Sequence, residues 1–246
     1  MIVPLTTQDF LARGATVYPD RVAVVDEPEQ PAGSVGELTF AEVQARARAV
    51  AAGLDAMGVA AGERIAVVGQ NSARMLDLFY GATGSGRIVV PINFRLGRNE
   101  VDYIVRHSGA SLLLVDPELE LPLAAVRAPR RLTLGSESDA ALLRFGVEPR
   151  PWNDVDENAT ATINYTSGTT ARPKGVELTH RSIWLNATVM ACTWASPIAT
   201  CTCTACRCST STAGACRSRW PRSACPRSCC ARSMARRSFA ASHGTA

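Results

Sequence analysis

The first 195 residues alternate between stretches with helical hydrophobic periodicity and short apolar runs. The clearest helical stretch runs from Phe40 to Met57, where apolar residues recur every three or four positions, and Gly58 provides a typical helix end. Further helices are predicted over Asp9–Val17, from Ser72 to Tyr80, over Glu100–His107, and from a Thr179 cap to about Trp194. Most of the first 195 residues are therefore expected in regular elements.

Short runs rich in Val, Ile and Leu lie between these helices and predict strands. They cover Arg21–Asp26, Gly36–Phe40, Arg64–Val68, Arg87–Pro91, Ser111–Asp116, Thr160–Tyr165 and Gly175–Leu178. Strands about 25 residues apart with helices between them favour βαβ units. We therefore predict an α/β fold with a largely parallel sheet, and a less regular crossing to a new subregion over residues 128–155.

Composition changes abruptly near Ala195. Residues 1–195 hold all 22 acidic residues against 17 Arg and one Lys, whereas residues 196–246 hold eight Arg, no acid and eight of the nine Cys. The formal net charge of +4 therefore arises in the tail. We predict two segments, 1–195 as the folded domain and 196–246 as an Arg/Cys/Ser-rich tail.

The N-terminal part has the composition of a cytoplasmic protein, because it is almost free of Cys and rich in Ala, Val and Leu. The start MIVPLTTQDF lacks the basic and apolar regions of a signal peptide, and no apolar run approaches the ~20 residues of a membrane span. We therefore expect a cytoplasmic location and no membrane span.

The stretch YTSGTTARPKGVELTH, Tyr165 to His180, is the strongest candidate for chemistry. Four hydroxyl side chains and a glycine follow a predicted strand, and Lys174, the only lysine in the chain, comes soon after. Backbone amides, hydroxyls and an ammonium can bind phosphate oxygens. A Ser/Thr-rich surface turn is the alternative. The pattern does not match a P-loop, and GATGSG at residues 81–86 is better explained by helix termination than by a dinucleotide fingerprint.

The motif Thr166-Ser-Gly-Thr-Thr-x-x-Pro-Lys-Gly175, followed by Thr179-His-Arg, resembles the phosphate-binding signature of AMP-forming acyl-CoA synthetases, members of the adenylate-forming superfamily. Collinear support comes from TFAEVQARARAVAAGLDAMGVAAGERIAVVGQNS and GRIVVPINFRLGRNEVDYIVRHSGASLLLVD, which look like the family's N-terminal subdomain. The resemblance covers about residues 6–194. It implies a partial N-terminal AMP-binding (adenylation) domain, the truncated N-terminal portion of the adenylate-forming fold.

The resemblance also implies a two-step reaction and its cofactors. A small-molecule carboxylic acid, expected to be a fatty acid, would attack Mg²⁺-bound ATP to give an acyl-adenylate, and coenzyme A would then take the acyl group. An adenylation domain that loads a carrier protein is the alternative within the superfamily, and a non-enzymatic binding protein with an Arg/Cys-rich tail is the alternative of another class. The residues carried over to the β- and γ-phosphates are Thr166, Ser167, Gly168, Thr169, Thr170 and Lys174. No catalytic residue or protein metal ligand is assigned.

One position departs from the family pattern. Ala171 stands where the family usually has Gly, and if the backbone there needs a positive φ, Ala costs about 1 kcal/mol. Two histidines are weaker candidates. For His107 we favour a structural role. His180 is expected either to cap a helix or to line the active-site cleft.

Four interpretations compete for the tail. Its Cys spacing does not match the usual zinc pairs, a disulfide framework conflicts with a cytoplasmic domain, and an Arg-rich nucleic-acid arm lacks a recognisable module. The fourth is out-of-frame translation. A one-base shift of Cys201–Arg217 leaves few choices at each codon and admits L-P-M-F-H-x-N-G, which is similar to the next family motif. We favour this interpretation and expect a mostly disordered tail and no nucleic-acid partner.

The remaining family motifs, including the ribose-binding acid and a C-terminal lysine, are expected beyond this chain. The sequence therefore predicts an N-terminal fragment that does not complete catalysis.

Overall fold

A computed structural model describes residues 3–151, 156–166 and 172–194 of the chain. The helices are α1 (Asp9–Val17), α2 (Phe40–Ala56), α3 (Ala73–Gly84), α4 (Arg98–Ser108), α5 (Ser136–Leu142) and α6 (His180–Trp194). The strands are β1 (Val22–Val25), β2 (Glu37–Thr39), β3 (Arg64–Gly69), β4 (Ile88–Asn93), β5 (Ala110–Val115), β6 (Arg130–Thr133), β7 (Thr160–Thr166) and β8 (Lys174–Thr179). The tail 196–246, with its predicted disorder, lies outside the described residues.

Six strands form one sheet in the order β6-β5-β3-β4-β7-β8, and β1 pairs with β2 in a separate antiparallel hairpin. All neighbours in the large sheet are parallel except β7 and β8. Strand β3 is buried from Ile65 to Gly69 because helices cover both faces of the sheet, as parallel sheets require. The predicted α/β class and largely parallel sheet are confirmed.

Alternate residues of the central strands pack against different helical layers. Ile65 and Val67 belong to a core shared with α2, α3 and α5. Ala66 and Val68 face a second core shared with α4 and the segment after β5. Within the described residues, no helix has the length and apolar character needed to cross a membrane.

Helix boundaries follow local capping chemistry. Thr39 accepts a hydrogen bond from the backbone of Glu42, whose carboxylate accepts one from the backbone of Thr39, so α2 begins in a capping box. Gly58 follows the end of α2 with a φ of 69°, a left-handed conformation that favours glycine. The predicted termination of a helix within GATGSG is confirmed, but α3 continues to Gly84, four residues beyond the predicted Tyr80, and α2 ends at Ala56, one residue before Met57.

Residues 128–155 are more regular than predicted, because they contain β6 and α5. Arg131 of β6 carries a guanidinium that donates to the carbonyls of Leu123 and Val126 and pairs with Glu120. A half-buried arginine with these partners is compatible with a strand. It interrupts the apolar pattern, however, so hydrophobic periodicity does not predict the strand. The prediction was wrong here because tertiary hydrogen bonds replaced apolar side chains.

An acid is buried between α2 and α3. Asp77 is 2% exposed and accepts a hydrogen bond from Arg46 Nε at 2.7 Å, while its other carboxylate oxygen has no hydrogen-bond partner within the described part of the chain. Burial raises the pKa of Asp77 to about 6, against the opposing effect of the Arg46 charge.

The raised pKa predicts a pH-dependent stability. The folded chain holds a proton on Asp77 more tightly than the unfolded chain does, so this stabilisation is present below the ordinary pKa of 3.8 and is lost as the pH rises through about 6. Relative to Asp77→Asn, the wild type should lose about 2 kcal/mol of unfolding free energy between about pH 4 and pH 7.5. Urea unfolding at both pH values measures this, and parallel curves for the two proteins would contradict it.

Candidate functional site

The hairpin of β7 and β8 positions both ends of the candidate motif. Thr166 is the last residue of β7 and lies opposite Lys174, the first residue of β8. Because β7 runs parallel to β4, the turn of the hairpin lies at the carboxyl edge of the parallel strands. Open α/β sheets bind ligands outside this edge.

The other residues carried over from the motif cannot be placed in the same way. Ser167, Gly168, Thr169 and Thr170 lie outside the described residues, as does Ala171. The structure thus brings Thr166 and Lys174 together, and the assignment of all six residues to phosphate binding stays a prediction.

The end of the hairpin is positively charged. Arg172 and Lys174 are both exposed, and Lys174 has no ion-pair partner within the described ranges. The carboxylate of the same hairpin, Glu177, accepts a hydrogen bond of 2.7 Å from Thr160 at the opposite end. Among the described residues, no acid of the hairpin lies next to these two cations. Their charge can therefore attract a polyphosphate group.

Gly175 packs closely against side chains of β7. A Cβ at this position would lie 3.2 Å from Tyr165 Cζ and 3.1 Å from Ile163 Cγ2. A larger residue would therefore require these side chains to shift by a few tenths of an ångström next to Lys174. The glycine that follows the lysine in the motif has a structural reason that is independent of any ligand.

A group of rings lies beside this end of the hairpin. His107 Nδ1 and the Tyr165 hydroxyl share a hydrogen bond of 2.7 Å, and the His107 ring stacks on Tyr103 with centroids 5.2 Å apart. The Arg172 guanidinium lies 5.9 Å from the centre of the Tyr103 ring. These contacts support the structural role that we prefer for His107. They also show that His107 lies next to the candidate site. Tyr103 and Tyr165 were not predicted from the sequence as members of this group.

His180 lies at the other end of the hairpin, directly after Thr179. Its side chain is 1% exposed and its Nδ1 lies 3.2 Å from Thr7 Oγ1, which in turn lies 2.9 Å from Thr83 Oγ1. Burial lowers the pKa of His180, so its ring is neutral at pH 7. The predicted cap of α6 is Thr179, whose hydroxyl accepts a hydrogen bond from the Ser182 backbone amide.

A cleft of about 640 Å³ adjoins His180 and is lined by polar residues that include Asp9, Gln44 and Arg48. Thr160 and Thr179 pair at this end of the hairpin, six strand positions from Thr166. At ~3.3 Å per residue the cleft is roughly 20 Å from the positively charged end. We therefore locate the candidate site at the hairpin end rather than in this cleft.

Magnesium has no protein cage in the part of the chain that the structure describes, because no three His, Cys, Asp or Glu side chains come together there. Mg²⁺ commonly binds through substrate phosphates and water with one or two carboxylates.

Comparison with known proteins defines the class. The family model described as AMP-binding enzyme matches residues 11–223. This chain therefore belongs to the AMP-binding enzyme family, and the resemblance to AMP-forming acyl-CoA synthetases is confirmed. The match extends past Ala195, where the composition changes.

Individual relatives agree with the family. A long-chain-fatty-acid–CoA ligase, FadD13 of Mycobacterium tuberculosis, is 36% identical over 195 residues, which are 77% of this chain and 37% of that protein. A long-chain-fatty-acid–CoA ligase of Thermus thermophilus is 35% identical over 74% of this chain and 35% of its own length. The chain thus spans about a third of these curated relatives.

Solved structures give the same fold. A fatty acyl CoA synthetase of Mycobacterium tuberculosis aligns with a TM-score of 0.65 and 31% identity, over 76% of this chain and 37% of that chain. VinN with 3-methylaspartate aligns with a TM-score of 0.66 and 27% identity, over 78% of this chain and 53% of that chain.

Proposed function

We propose that this chain carries the phosphate-binding part of an AMP-forming acyl-CoA ligase. The observation behind this proposal is that Thr166 and Lys174, the two ends of the signature, face each other at the carboxyl edge of the sheet. The exposed ammonium of Lys174 and the nearby Arg172 supply positive charge for a polyphosphate. Family membership supports the same proposal.

The proposed reaction activates a carboxylic acid in two steps. The acid carboxylate attacks the α-phosphorus of ATP, the bond to pyrophosphate breaks, and an acyl-adenylate forms. The thiol of coenzyme A then attacks the acyl carbon and AMP leaves. A fatty acid is the proposed substrate, because the two relatives described above are named long-chain-fatty-acid–CoA ligases.

The hairpin would act mainly by neutralising and orienting phosphate charge. Lys174 would donate to the β- and γ-phosphate oxygens, and the hydroxyls and amides of Thr166, Ser167, Gly168, Thr169 and Thr170 would surround the same groups. Mg²⁺ would lower the remaining charge of the triphosphate. We propose a cytoplasmic enzyme that acts on small molecules.

Ligand binding tests the phosphate site directly. Calorimetric titration of the 246-residue chain with Mg-ATP and with inorganic tripolyphosphate should give saturable binding for both. Affinity should fall as salt rises, since screening weakens exposed charge–charge attraction. AMP, which lacks the β- and γ-phosphates, serves as the control and should bind more weakly. Absence of binding by both polyphosphates would contradict the proposal.

We further propose that the 246 residues alone do not complete the reaction, because they match only 35% and 37% of the length of the two ligases. Acid-dependent pyrophosphate release from Mg-ATP should stay well below about 1 s⁻¹, the lower end of typical kcat values. Turnover above this rate with a fatty acid and coenzyme A would overturn this part of the proposal.

For the tail we propose out-of-frame translation of residues 196–246. The supporting observation is the abrupt change from a mixed-charge composition to one with eight Arg, eight Cys and no acid. Resequencing the gene across this region tests it. A one-base correction that restores a continuous family-like frame is expected, and confirmation of the present frame without any continuation in another frame would contradict the proposal.

A further inference from the structure

Helix α4 contacts both arms of the phosphate-site hairpin through side chains that the proposed function does not use. Val101, Ile104 and Val105 anchor α4 in the core below the sheet. On the same helix, Tyr103 and His107 are four residues apart, so their rings stack, with centroids separated by 5.2 Å. A helix fixed in the core thus presents a rigid pair of rings to the hairpin.

Each ring of this pair contacts a different arm. His107 shares the 2.7 Å hydrogen bond with the hydroxyl of Tyr165, which directly precedes Thr166 on β7. Tyr103 lies under the guanidinium of Arg172, two residues before Lys174. Favourable cation–ring contacts occur within about 6 Å of the ring centre. The two arms are therefore tied to one helix at positions adjacent to the proposed phosphate ligands.

Tyr165 also connects the arms to each other. Its ring covers Gly175, where a Cβ would lie 3.2 Å from Tyr165 Cζ. Burial raises the pKa of the Tyr165 hydroxyl, which shares its hydrogen bond with His107 Nδ1. The Tyr165 ring thus packs over β8 next to the position where Thr166 faces Lys174.

We propose that Tyr103, His107 and Tyr165 are positioning residues that hold Thr166 and Lys174 in the geometry required for polyphosphate binding. This inference rests on the proposed function, because it assigns the side chains that orient the same site. None of the three residues needs to touch the ligand. Their contribution is the reduced freedom of the two strand ends before binding.

The test compares variants that remove one side-chain hydrogen bond from the same hairpin. Tyr165→Phe removes the hydroxyl that His107 binds. Thr160→Val is the matched control, because it removes the 2.7 Å hydrogen bond between half-buried Thr160 and exposed Glu177 at the opposite end. Tyr165→Phe should raise the Kd of the 246-residue chain for tripolyphosphate and Mg-ATP by about threefold to tenfold. Thr160→Val should stay within about twofold of the wild type.

Two further variants separate positioning from general stability. His107→Ala should weaken binding by about as much as Tyr165→Phe, and the double variant should show little added loss because both remove the same bond. His107→Asn, whose amide can reach the tyrosine hydroxyl, should recover most of the affinity. Thermal unfolding of every variant identifies any loss of folding, and Tyr165→Phe retains the ring even if His107→Ala is poorly folded.

The outcomes are distinct. Wild-type binding combined with an unchanged Kd for Tyr165→Phe would overturn the positioning role and leave the phosphate site intact. Equal losses for Tyr165→Phe and Thr160→Val would also overturn it, because the effect would then be general to the hairpin. Failure of the wild type to bind either polyphosphate would overturn the proposed function, and this inference with it.

Discussion

Gly53→Ala should lower the free energy of unfolding by about 3 kcal/mol, at the upper end of what overpacking a core typically costs. A Cβ at this position in α2 would lie 2.1 Å from the carbonyl oxygen of Leu142 and 2.6 Å from its Cα. These are backbone atoms of α5, so no rotamer change relieves the contact. The two helices would have to separate, which opens the core that they share with Ile65 and Val67.

Urea unfolding followed by circular dichroism measures this loss, with Gly97→Ala as control. Gly97 has a φ of −70°, and a Cβ there would meet only the end of the flexible Glu100 side chain at 3.6 Å. We expect a change within about 1 kcal/mol for the control. Alanine is intrinsically better than glycine inside a helix by about 1 kcal/mol, so a stabilised Gly53→Ala protein would show that α2 and α5 are not in this contact.

The same helix shows what the sequence can and cannot predict. The spacing of Val43, Ala47, Val50 and Leu54 correctly predicts α2 and its buried face, because helical periodicity is a local property. The need for Gly53 depends on Leu142, which lies in a helix that was not predicted from the sequence. Glycine in the middle of a helix was the available signal, but it does not identify the partner.

The candidate site also combines features that the sequence predicts with contacts that it does not predict. The hydroxyls, glycine and lysine of the motif are contiguous, so the sequence predicts two strands joined by a polar segment, and the structure extends both strands so that Thr166 pairs with Lys174. The contact between His107 and Tyr165 joins residues 58 positions apart. It exists because β7 pairs with β4 at the far side of the sheet, a strand order that periodicity does not encode.

The proposed phosphate site predicts that removing the charge of Lys174 weakens polyphosphate binding. Lys174→Met should weaken the binding of tripolyphosphate and Mg-ATP by about 100-fold, because it removes one full charge and charge-assisted hydrogen bonds worth about 1.5 to 3 kcal/mol. Methionine keeps most of the side-chain length. Because Lys174 is exposed, we expect the substitution to leave folding intact, so that a loss of affinity reports on binding. Calorimetric titration at constant ionic strength gives both affinities.

The control must remove a positive charge of similar exposure that lies away from the motif. Arg13→Met does so, because Arg13 is exposed on α1, whose residues Asp9 and Ala12 line the cleft at the opposite end of the hairpin. A general electrostatic effect would weaken binding to a similar extent in both variants, whereas a phosphate ligand at Lys174 predicts a large loss in that variant alone. Lys174→Arg refines the result: a partial recovery is expected, because arginine restores the charge but its planar fork differs from a compact ammonium. Unchanged tripolyphosphate affinity in Lys174→Met would separate the motif from phosphate binding in this chain, and the positive end of the hairpin would then need another ligand.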